Sequence, residues 1–578
     1  MHRRILHRLT LFVLSKLSLE YRVLCRQFLL RVIDLEALSI EADIPQFLGQ
    51  FAGVAIMFSM LHSVIAWAYL GPMPPADRFG YACHFEQYLI ATMMLLAGIF
   101  AVLSWDGVFP DRRDIMVLSP LPITARTILL AKLAASGGIL GLAILALNCF
   151  SGLVWPFTLG IAGGLVQGFL RTFAAWWFTL IAASLFIYSS ALAIQGLGAL
   201  LLPRRLYMRF SAMMQIAAFA AILSVYFLQG TLTSPAALAS PQGQWLLAYS
   251  PSFWFFAVFN QLRGVLPPEL AWVARRGWLA LGTALCSGLL SLVLCYLRTM
   301  KKTTEEPDLL PAKRGLHWTP RLGGLQALVT LFSLRTLLRS RHHRVILAFY
   351  LSIVFAIALA AARRALDAGQ PLPFSKSFPT ITNLMMVLSV IGFRKVFSIP
   401  ISLTANWVLR TTQIHPSEKF FTATRNTLLL FAVVPIWILS ALLGISYRPS
   451  PLVAEHLLVL MLIGMILVDL SLIRFHKVPF TCSLLPGSTN FQLVFWAGFA
   501  GFILLSVFVI TCEMPALYAP RLYVCLIAAL GTIAMCLRAF NRFEAKSAVL
   551  YFEEVPDEVL TTLHLLTALP SVASNRQS

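Results

Sequence analysis

The chain has 578 residues, of which 59% are hydrophobic and only 12% are charged. Its mean hydropathy is +0.80. A soluble domain carries about 25% charged residues, so this composition excludes a soluble enzyme, and it is too apolar for intrinsic disorder. The 45 Lys and Arg exceed the 24 Asp and Glu, which gives a net charge of +21. Such an excess is typical of nucleic-acid binding, of contact with anionic lipid, or of the bias that orients membrane helices.

The N-terminus and the cysteines carry little information about processing or metal binding. The basic N-terminal segment has an apolar run that is broken at Lys16, and no small-residue cleavage site follows it. We therefore expect no cleaved signal peptide. The nine cysteines form no C-x-x-C pair and lie mostly in or beside apolar runs. This pattern is typical of core residues and not of a disulfide or zinc framework.

Apolar segments long enough to cross a bilayer recur along the whole chain. About 20 apolar residues, rising 1.5 Å each, span the roughly 30 Å of hydrocarbon. The eighth candidate ends in Arg394 and Lys395, which can snorkel to the interface. The twelve candidates are residues 47–70, 87–105, 133–155, 173–202, 211–229, 277–297, 345–362, 378–397, 427–447, 452–473, 491–511 and 522–537.

The positions of the basic residues predict the orientation. With both termini placed in the cytoplasm, most Lys and Arg fall on the cytoplasmic side of the twelve segments, as the positive-inside rule requires. This distribution accounts for the net charge without nucleic acid. The sequence therefore predicts an all-α polytopic bundle in a cell membrane, and a bacterial inner membrane is the expected location.

The two halves of the chain share ordered landmarks. Each half begins with a basic amphipathic stretch, residues 17–33 and 325–344, and ends with an acidic turn. We expect two parallel six-span repeats related by an axis along the membrane normal, since an even number of spans preserves orientation. The expected units are a first half (1–297), a basic linker (298–322), a second half (323–539) and a cytoplasmic tail (540–578). The shared landmarks are Met93-Met94, Pro122 and Leu133 in the first half, and Met385-Met386, Pro416 and Thr427 in the second.

The loop between the second and third spans carries charge in a distinctive order. It contains Asp111-Arg112-Arg113-Asp114, then Leu121-Pro122 and a basic helix start at Arg126. This loop, the amphipathic entry helix and the long segment between spans five and six resemble the membrane subunit of type-2 ATP-binding-cassette (ABC) transporters, the exporter permeases. The resemblance covers nearly the whole chain, as two consecutive copies.

The resemblance implies the permease subunit of an ABC exporter. In that family the loop between spans two and three forms a coupling helix that contacts the ATPase, which would correspond here to residues 109–124 and 410–425. The second copy lacks the Asp-Arg-Arg-Asp run. The implied docking residues are Phe109, Asp111, Arg112, Arg113, Asp114, Pro120, Pro122, Arg126, Pro416, Glu418 and Lys419.

The chain contains no G-x-x-x-x-G-K-[ST] motif, so it cannot cradle nucleotide phosphates in a P-loop. A separate ATP-binding subunit would therefore be the partner, together with membrane lipids. We expect no catalytic residue, no cofactor, no metal and no nucleic acid.

Residues 230–276, between the fifth and sixth spans, are rich in aromatic side chains. Two interpretations are open for this segment. It resembles the re-entrant outer helices of the permease family, and it also has the composition of an aromatic belt that anchors ordinary loops at the membrane surface.

An ion-coupled secondary transporter of six-plus-six architecture is the main alternative, because Gly107 with Asp111 and Arg112 resembles part of the loop motif of major facilitator transporters. Such carriers commonly use buried carboxylates or histidines. The deep ionisable residues are essentially Asp469 and His62. We expect an ion pair of Asp469 with Arg474, one helical turn away, and an interior hydrogen-bonded role for His62.

A membrane enzyme acting on lipid-linked substrates is a third possibility, with Asp106, Asp111 and Asp114 as its only carboxylate cluster. His342-His343 could suggest a metal site, but adjacent helical residues diverge and the surrounding cations repel a metal. Several glycines are expected to allow close helix packing, namely Gly137, Gly138, Gly141, Gly196 and Gly198.

Overall fold

The computed structural model describes residues 19–33, 44–70, 75–105, 118, 121–160, 167–232, 248–305, 324–367, 374–401, 417–447, 451–473, 475, 478–481 and 491–547. Within these ranges the chain is helical and has no β-strand. Ten helices are long and apolar enough to cross a membrane. The all-α class is confirmed, and the helices have the lengths and composition of a multi-pass membrane protein.

Nine α-helices are described in the first half. They are α1 (Leu19–Ile33), α2 (Ile44–Leu70), α3 (Pro75–Leu103), α4 (Ala125–Leu147), α5 (Ser151–Gly160), α6 (Gln167–Leu201), α7 (Arg204–Leu232), α8 (Pro251–Arg263) and α9 (Ala271–Glu305).

The second half continues the series, and two of its helices are interrupted by a widened π-helical turn. The elements are α10 (Leu325–Arg339), α11 (Arg341–Asp367), α12 (Ser377–Phe397), α13 (Ser417–Leu428), a π turn (Leu429–Val433), α14 (Val434–Gly444), α15 (Pro451–Ser471), α16 (Phe491–Phe508), a second π turn (Val509–Glu513), α17 (Met514–Tyr518) and α18 (Pro520–Ser547).

Ten of the twelve expected spans overlap the long apolar helices. The third was expected at 133–155, but α4 ends at Leu147 and α5 begins at Ser151. The first and the eleventh fall on α2 and α16, where the described apolar stretches are shorter, Ala52–Val64 and Ile503–Tyr518. The helices of the sixth and twelfth expected spans are longer than the spans themselves. Helix α9 continues to Glu305, and α18 continues to Ser547.

Each half has its own apolar core. The first core is centred on α3 and α6, and the second on α12 and the π turn that precedes α14. The methionine pairs that suggested a repeat lie inside these cores. Met93 and Met94 are buried in the first core, and Met385 and Met386 are fully buried in the second.

Equivalent helices make equivalent contacts in the two halves. The amphipathic helices pack on the third spans, α1 on α4 and α10 on α13. The second span packs on the fourth, α3 on α6 and α12 on α15, and the fourth packs on the sixth, α6 on α9 and α15 on α18.

The contacts between the halves are reciprocal. Helix α7 of the first half packs extensively on α11 of the second, and α16 of the second half packs on α2 of the first. At the larger contact the rings of Phe219 and Phe349 meet edge to face, with centroids 5.7 Å apart. The Arg341 guanidinium donates to the Ser211 hydroxyl at 3.0 Å.

The amphipathic helices attach through short apolar faces. Leu24 and Phe28 of α1 are buried against α4 beside Ala131. The buried Lys132 ammonium lies 5.1 Å from the centre of the Phe28 ring, a cation–π contact between α4 and α1. Val329 of α10 packs in the same way against α13.

Helix α8 decides between the two interpretations of the aromatic segment for the residues that the structure describes. Phe253, Phe255 and Phe259 are buried, and α8 packs against α3, α6 and α9. These rings therefore belong to the core of the first half and do not form a belt at the surface. Trp272, at the start of α9, is exposed and lies under the Arg276 guanidinium at 4.9 Å.

Close helix packing depends on some of the expected glycines and not on others. A Cβ at Gly196 would lie 2.6 Å from the Ser291 hydroxyl oxygen, so this expectation is confirmed. A Cβ at Gly198 would make only ordinary contacts, and no atom of the described residues lies within 4 Å of a Cβ at Gly137, Gly138 or Gly141, so the described packing does not depend on these three glycines. The sequence did not single out Gly288, where a Cβ would lie 2.8 Å from the backbone oxygen of Ser189.

The contact at Gly288 provides a test of the packing of α6 on α9. Gly288→Ala should destabilise the protein by about 1–3 kcal/mol, because the new methyl group meets backbone that cannot move away alone. Gly282→Ala is the matched control on the same helix, since its Cβ would enter open space. Thermal unfolding in detergent measures both variants, and equal melting temperatures would contradict the described packing.

Candidate functional site

The expected docking residues lie largely outside the described residues. Among those that are described, Pro122, Arg126 and Lys419 are exposed, and Glu418 is half-buried. Helix α4 starts at a capped N-terminus, where the Thr124 hydroxyl accepts from the Thr127 amide at 3.2 Å. The others, Phe109, Asp111, Arg112, Arg113, Asp114, Pro120 and Pro416, are outside the described ranges, as is Asp106 of the carboxylate cluster.

A buried ion pair joins the fourth span of the second half to its neighbours. Asp469 on α15 accepts two hydrogen bonds from Arg425 on α13, at 2.5 and 2.8 Å, and both residues are buried. The Asn541 amide of α18 donates to the backbone oxygen of Asp469 at 2.8 Å. These contacts, named the Arg425–Asp469 clasp below, hold α13, α15 and α18 together at one end of the second half.

The partner of Asp469 differs from the one expected. The sequence pointed to Arg474 because it lies one turn away on the same segment, whereas both carboxylate oxygens of Asp469 are bonded by Arg425 from another helix. Arg474 lies outside the described residues. A bidentate guanidinium–carboxylate pair lets these two buried groups neutralise each other and satisfy each other's hydrogen bonds.

His343 illustrates how polar groups at this end are satisfied. Its Nδ1 lies 2.6 Å from the Ser340 hydroxyl and its Nε2 lies 2.9 Å from the Ile399 backbone oxygen. Both ring nitrogens are therefore engaged in hydrogen bonds. In the described part of the chain, no group of three or more His, Cys, Asp and Glu side chains is placed to hold a metal ion.

The end of α15 opposite Asp469 carries a second polar cluster, formed by Glu513, His456, Thr382 and Asn383. All four residues are fully buried. Glu513 Oε1 lies 2.5 Å from His456 Nδ1, and His456 Nε2 lies 2.8 Å from the Thr382 hydroxyl. The Asn383 amide donates to Glu513 Oε2 at 3.0 Å. The cluster joins α12, α15 and the π turn after α16.

The π turn places Glu513 in this cluster. A proline removes the hydrogen bond to the residue four positions earlier and its ring clashes with that carbonyl, so a widened turn relieves the clash. Pro515 follows the turn that contains Glu513, and Pro435 follows the other π turn. The wider turn shifts the face that Glu513 presents towards α12 and α15.

Aromatic rings pack against the His456 side of the cluster. His456 meets the ring of Phe378 with centroids 5.4 Å apart and that of Phe374 at 6.4 Å. Since His456 is five residues from the first residue of α15, the cluster lies about 8 Å from that helix end.

The first half also has a buried glutamate near a basic residue, but the contact between them is longer than that between Glu513 and His456. Glu86 on α3 is buried, and the Arg263 guanidinium at the end of α8 lies 3.8 Å from its Oε1. The other carboxylate oxygen has no hydrogen-bond partner among the described residues. The neighbouring Gln87 amide donates to the Ser252 hydroxyl at 3.0 Å, which ties α3 to α8.

Asp469 and His62 are not the only deep ionisable residues among those described, so this expectation was wrong. His456 and Glu513 are both fully buried. His456 could have been found, because it lies within an expected span. Glu513 was missed because it follows an expected span end, where a loop was assumed.

His62 differs from its expected role. Its Nε2 has no hydrogen-bond partner in the described part of the chain, although an interior hydrogen-bonded histidine was expected. The ring lies between aromatic neighbours, 5.8 Å from Tyr88 and 5.9 Å from Phe85.

No protein-family model, no curated protein and no solved structure matches this chain. Its function therefore has to be argued from the helices and their polar contacts.

The Arg425–Asp469 clasp makes a sharp stability prediction. Asp469→Leu should cost about 3–5 kcal/mol, because the Arg425 charge stays buried without a partner. Adding Arg425→Met should recover most of this loss, since replacing both charges by apolar groups removes the desolvation cost. Melting temperatures in detergent compare the single and double variants, and a double variant as unstable as the single would contradict the clasp.

Proposed function

We propose that the chain is the membrane-spanning permease subunit of an ABC-type exporter. The chain would have twelve spans, arranged as two parallel six-span repeats, with both termini in the cytoplasm. The observation that carries the proposal is the reciprocal packing of α7 on α11 and of α16 on α2. Reciprocal contacts of this kind are the mark of a two-fold interface, here between two copies within one chain.

The matching contacts inside each half support the same architecture. Three contacts recur in both halves: the amphipathic helix packs on the third span, the second span packs on the fourth, and the fourth span packs on the sixth. Parallel copies related by an axis along the membrane normal would enclose a pathway at their seam. The absence of a P-loop motif from the sequence supports a separate ATPase as the motor.

The loops between spans two and three would contact the ATPase and be displaced when it hydrolyses ATP. Each of these loops is followed by a third span that begins with an exposed basic residue near its start, Arg126 in α4 and Lys419 in α13. Each third span also carries an amphipathic helix. In the second half the Arg425–Asp469 clasp would pass a displacement of α13 on to α15 and α18, so the half-bundle would tilt as a unit.

Charge reversal tests the docking role. Arg112→Glu with Arg113→Glu should lower association with the P-loop ATPase by about tenfold or more, because like charges at an interface cost several kcal/mol. Arg275→Glu, an exposed residue in α9 at the end expected to face outward, is the matched control. ATP hydrolysis that copurifies with the tagged full-length chain provides the measurement.

Unchanged ATPase copurification in the Arg112/Arg113 variant, or an equal loss in the Arg275 variant, would contradict docking through this loop. Copurification of no ATPase with the wild-type chain from its native membrane would count against the exporter proposal itself.

The buried pair of Glu513 and His456 favours a second candidate, an ion-coupled secondary transporter. Intramembrane carboxylates and histidines commonly mark proton or ion pathways. Such a carrier would transport without ATP and would respond to collapse of the proton gradient. Flux into proteoliposomes, with and without a protonophore and in the absence of any ATPase, separates the two candidates.

A further inference from the structure

The three-residue chain of Glu513, His456 and Thr382, named the buried triad below, has one hydroxyl shared among several acceptors. Thr382 Oγ1 lies 2.8 Å from His456 Nε2, 2.9 Å from the Phe378 backbone oxygen and 3.1 Å from that of Pro379. A hydroxyl has a single hydrogen and can donate to one acceptor at a time. The direction of the bond between Thr382 and His456 is therefore free to reverse.

This freedom allows two proton counts with the same heavy-atom positions. In one state His456 is neutral, its Nδ1–H donates to the Glu513 carboxylate, and its Nε2 accepts from the Thr382 hydroxyl. The triad then carries one negative charge. In the other state a proton from solution sits on Nε2, which donates to Thr382 Oγ1, and the Thr382 hydroxyl hydrogen turns to the Phe378 oxygen. The Nδ1 proton is still shared with Glu513, and the triad is neutral.

We propose that the buried triad is a binding site for one proton, and that release of this proton loosens the packing of α12 and α15 against the π turn after α16. The neutral, protonated triad needs no counterion. The deprotonated triad leaves a negative charge among fully buried residues, where an uncompensated charge is strongly unfavourable. Asn383 donates to Glu513 Oε2 in both states, so it offsets only part of that charge.

Among the described residues, no further titratable group is bonded to the triad to absorb the charge change. The Tyr523 hydroxyl of α18 donates to the backbone oxygen of Glu455 on α15. The packed and adjoining elements carry other titratable or charged side chains, and in the described part of the chain none of them has a hydrogen bond or ion pair to Glu513, His456 or Thr382. These side chains are Arg364, Lys376, Tyr447, Glu455, Cys512, Tyr518, Arg521 and Tyr523.

This proton site goes beyond the proposed permease function and requires no ATPase. It would exist in an exporter or in a carrier, so its test is independent of docking at the loops between spans two and three.

Glu513→Gln is the informative variant, because a glutamine can keep the heavy-atom contacts of the triad without a negative charge, with the His456 proton on Nε2. Its amide NH₂ donates to His456 Nδ1, and its oxygen accepts from Asn383. The variant should therefore fold and remain fixed in the packing of the protonated triad. Glu455→Gln is the matched control, since Glu455 is next to His456 on α15 and is only half-buried.

Infrared difference spectra of the full-length protein in lipid nanodiscs, recorded from about pH 5 to about pH 9, report the protonation of carboxyl and imidazole groups. We expect one titrating component in the wild type that disappears in Glu513→Gln and persists in Glu455→Gln. In parallel, the wild type should lose thermal stability as pH rises and the proton leaves. Glu513→Gln should show a flatter dependence.

Thr382→Val tests the reversible hydroxyl. The protonated triad would lose the acceptor for Nε2–H, a charge-assisted bond that is stronger than the neutral bond lost from the other state, so proton affinity should fall by about tenfold. Thr380→Val is the matched control, because Thr380 on the same helix donates to the Lys376 backbone oxygen at 2.8 Å and has no bond to His456.

Three results would overturn the proposal. They are an identical titrating component in the wild type and Glu513→Gln, no titrating component of this pair in the wild type across the range, and equal proton affinity in the two threonine variants. If Glu513→Gln does not fold, the comparison of Thr382→Val with Thr380→Val decides the question alone.

Discussion

Buried charge has to be neutralised inside the helical bundle, because the hydrocarbon of a membrane offers neither water nor counterions. Helix α15 shows how the second half meets this constraint. Asp469 near one end is bonded by Arg425, and His456 near the other end is bonded to Glu513 and Thr382. Between the two polar ends the helix packs through fully buried apolar residues. Its neighbours α12, α13 and α18 and the π turn after α16 are therefore fixed relative to it by directional bonds as well as by packing.

At one end, the two halves differ in the elements that pack between their helices. In the first half α8 fills the space between α3, α6 and α9, and the buried Glu86 has only a distant contact with Arg263 at 3.8 Å. In the second half a π turn and the short α17 stand between α16 and α18, and Glu513 is bonded at short range. Helix contacts elsewhere are similar in the two segments, so the described difference between them lies in the polar contacts at this end.

The helices could be predicted from the sequence far better than their polar contacts. Hydropathy located ten spans that the structure describes as long apolar helices, because every spanning helix must be apolar along its length. The amphipathic helices were also found, although α10 ends at Arg339 and the last residues of its expected stretch begin α11. The partner of Asp469 was missed because Arg425 is 44 residues away, and local spacing carries no information on such a pair. The π turns were missed because hydropathy does not register a single wide turn, although Pro435 and Pro515 mark both sites.

A single rigid helix connects the two polar ends of the second half. His456 and Asp469 are 13 residues apart on α15, which corresponds to about 20 Å of uninterrupted helix. A tilt of α15 that keeps the Arg425–Asp469 clasp intact must therefore change the distances at the buried triad, where bonds of 2.5 to 2.8 Å leave little tolerance. Coupling of this kind is reciprocal, so the protonation state of the triad would bias the position of α13 as strongly as α13 biases the triad. Helix α13 and the proposed proton site at the far end of α15 would thus be coupled mechanically through α15.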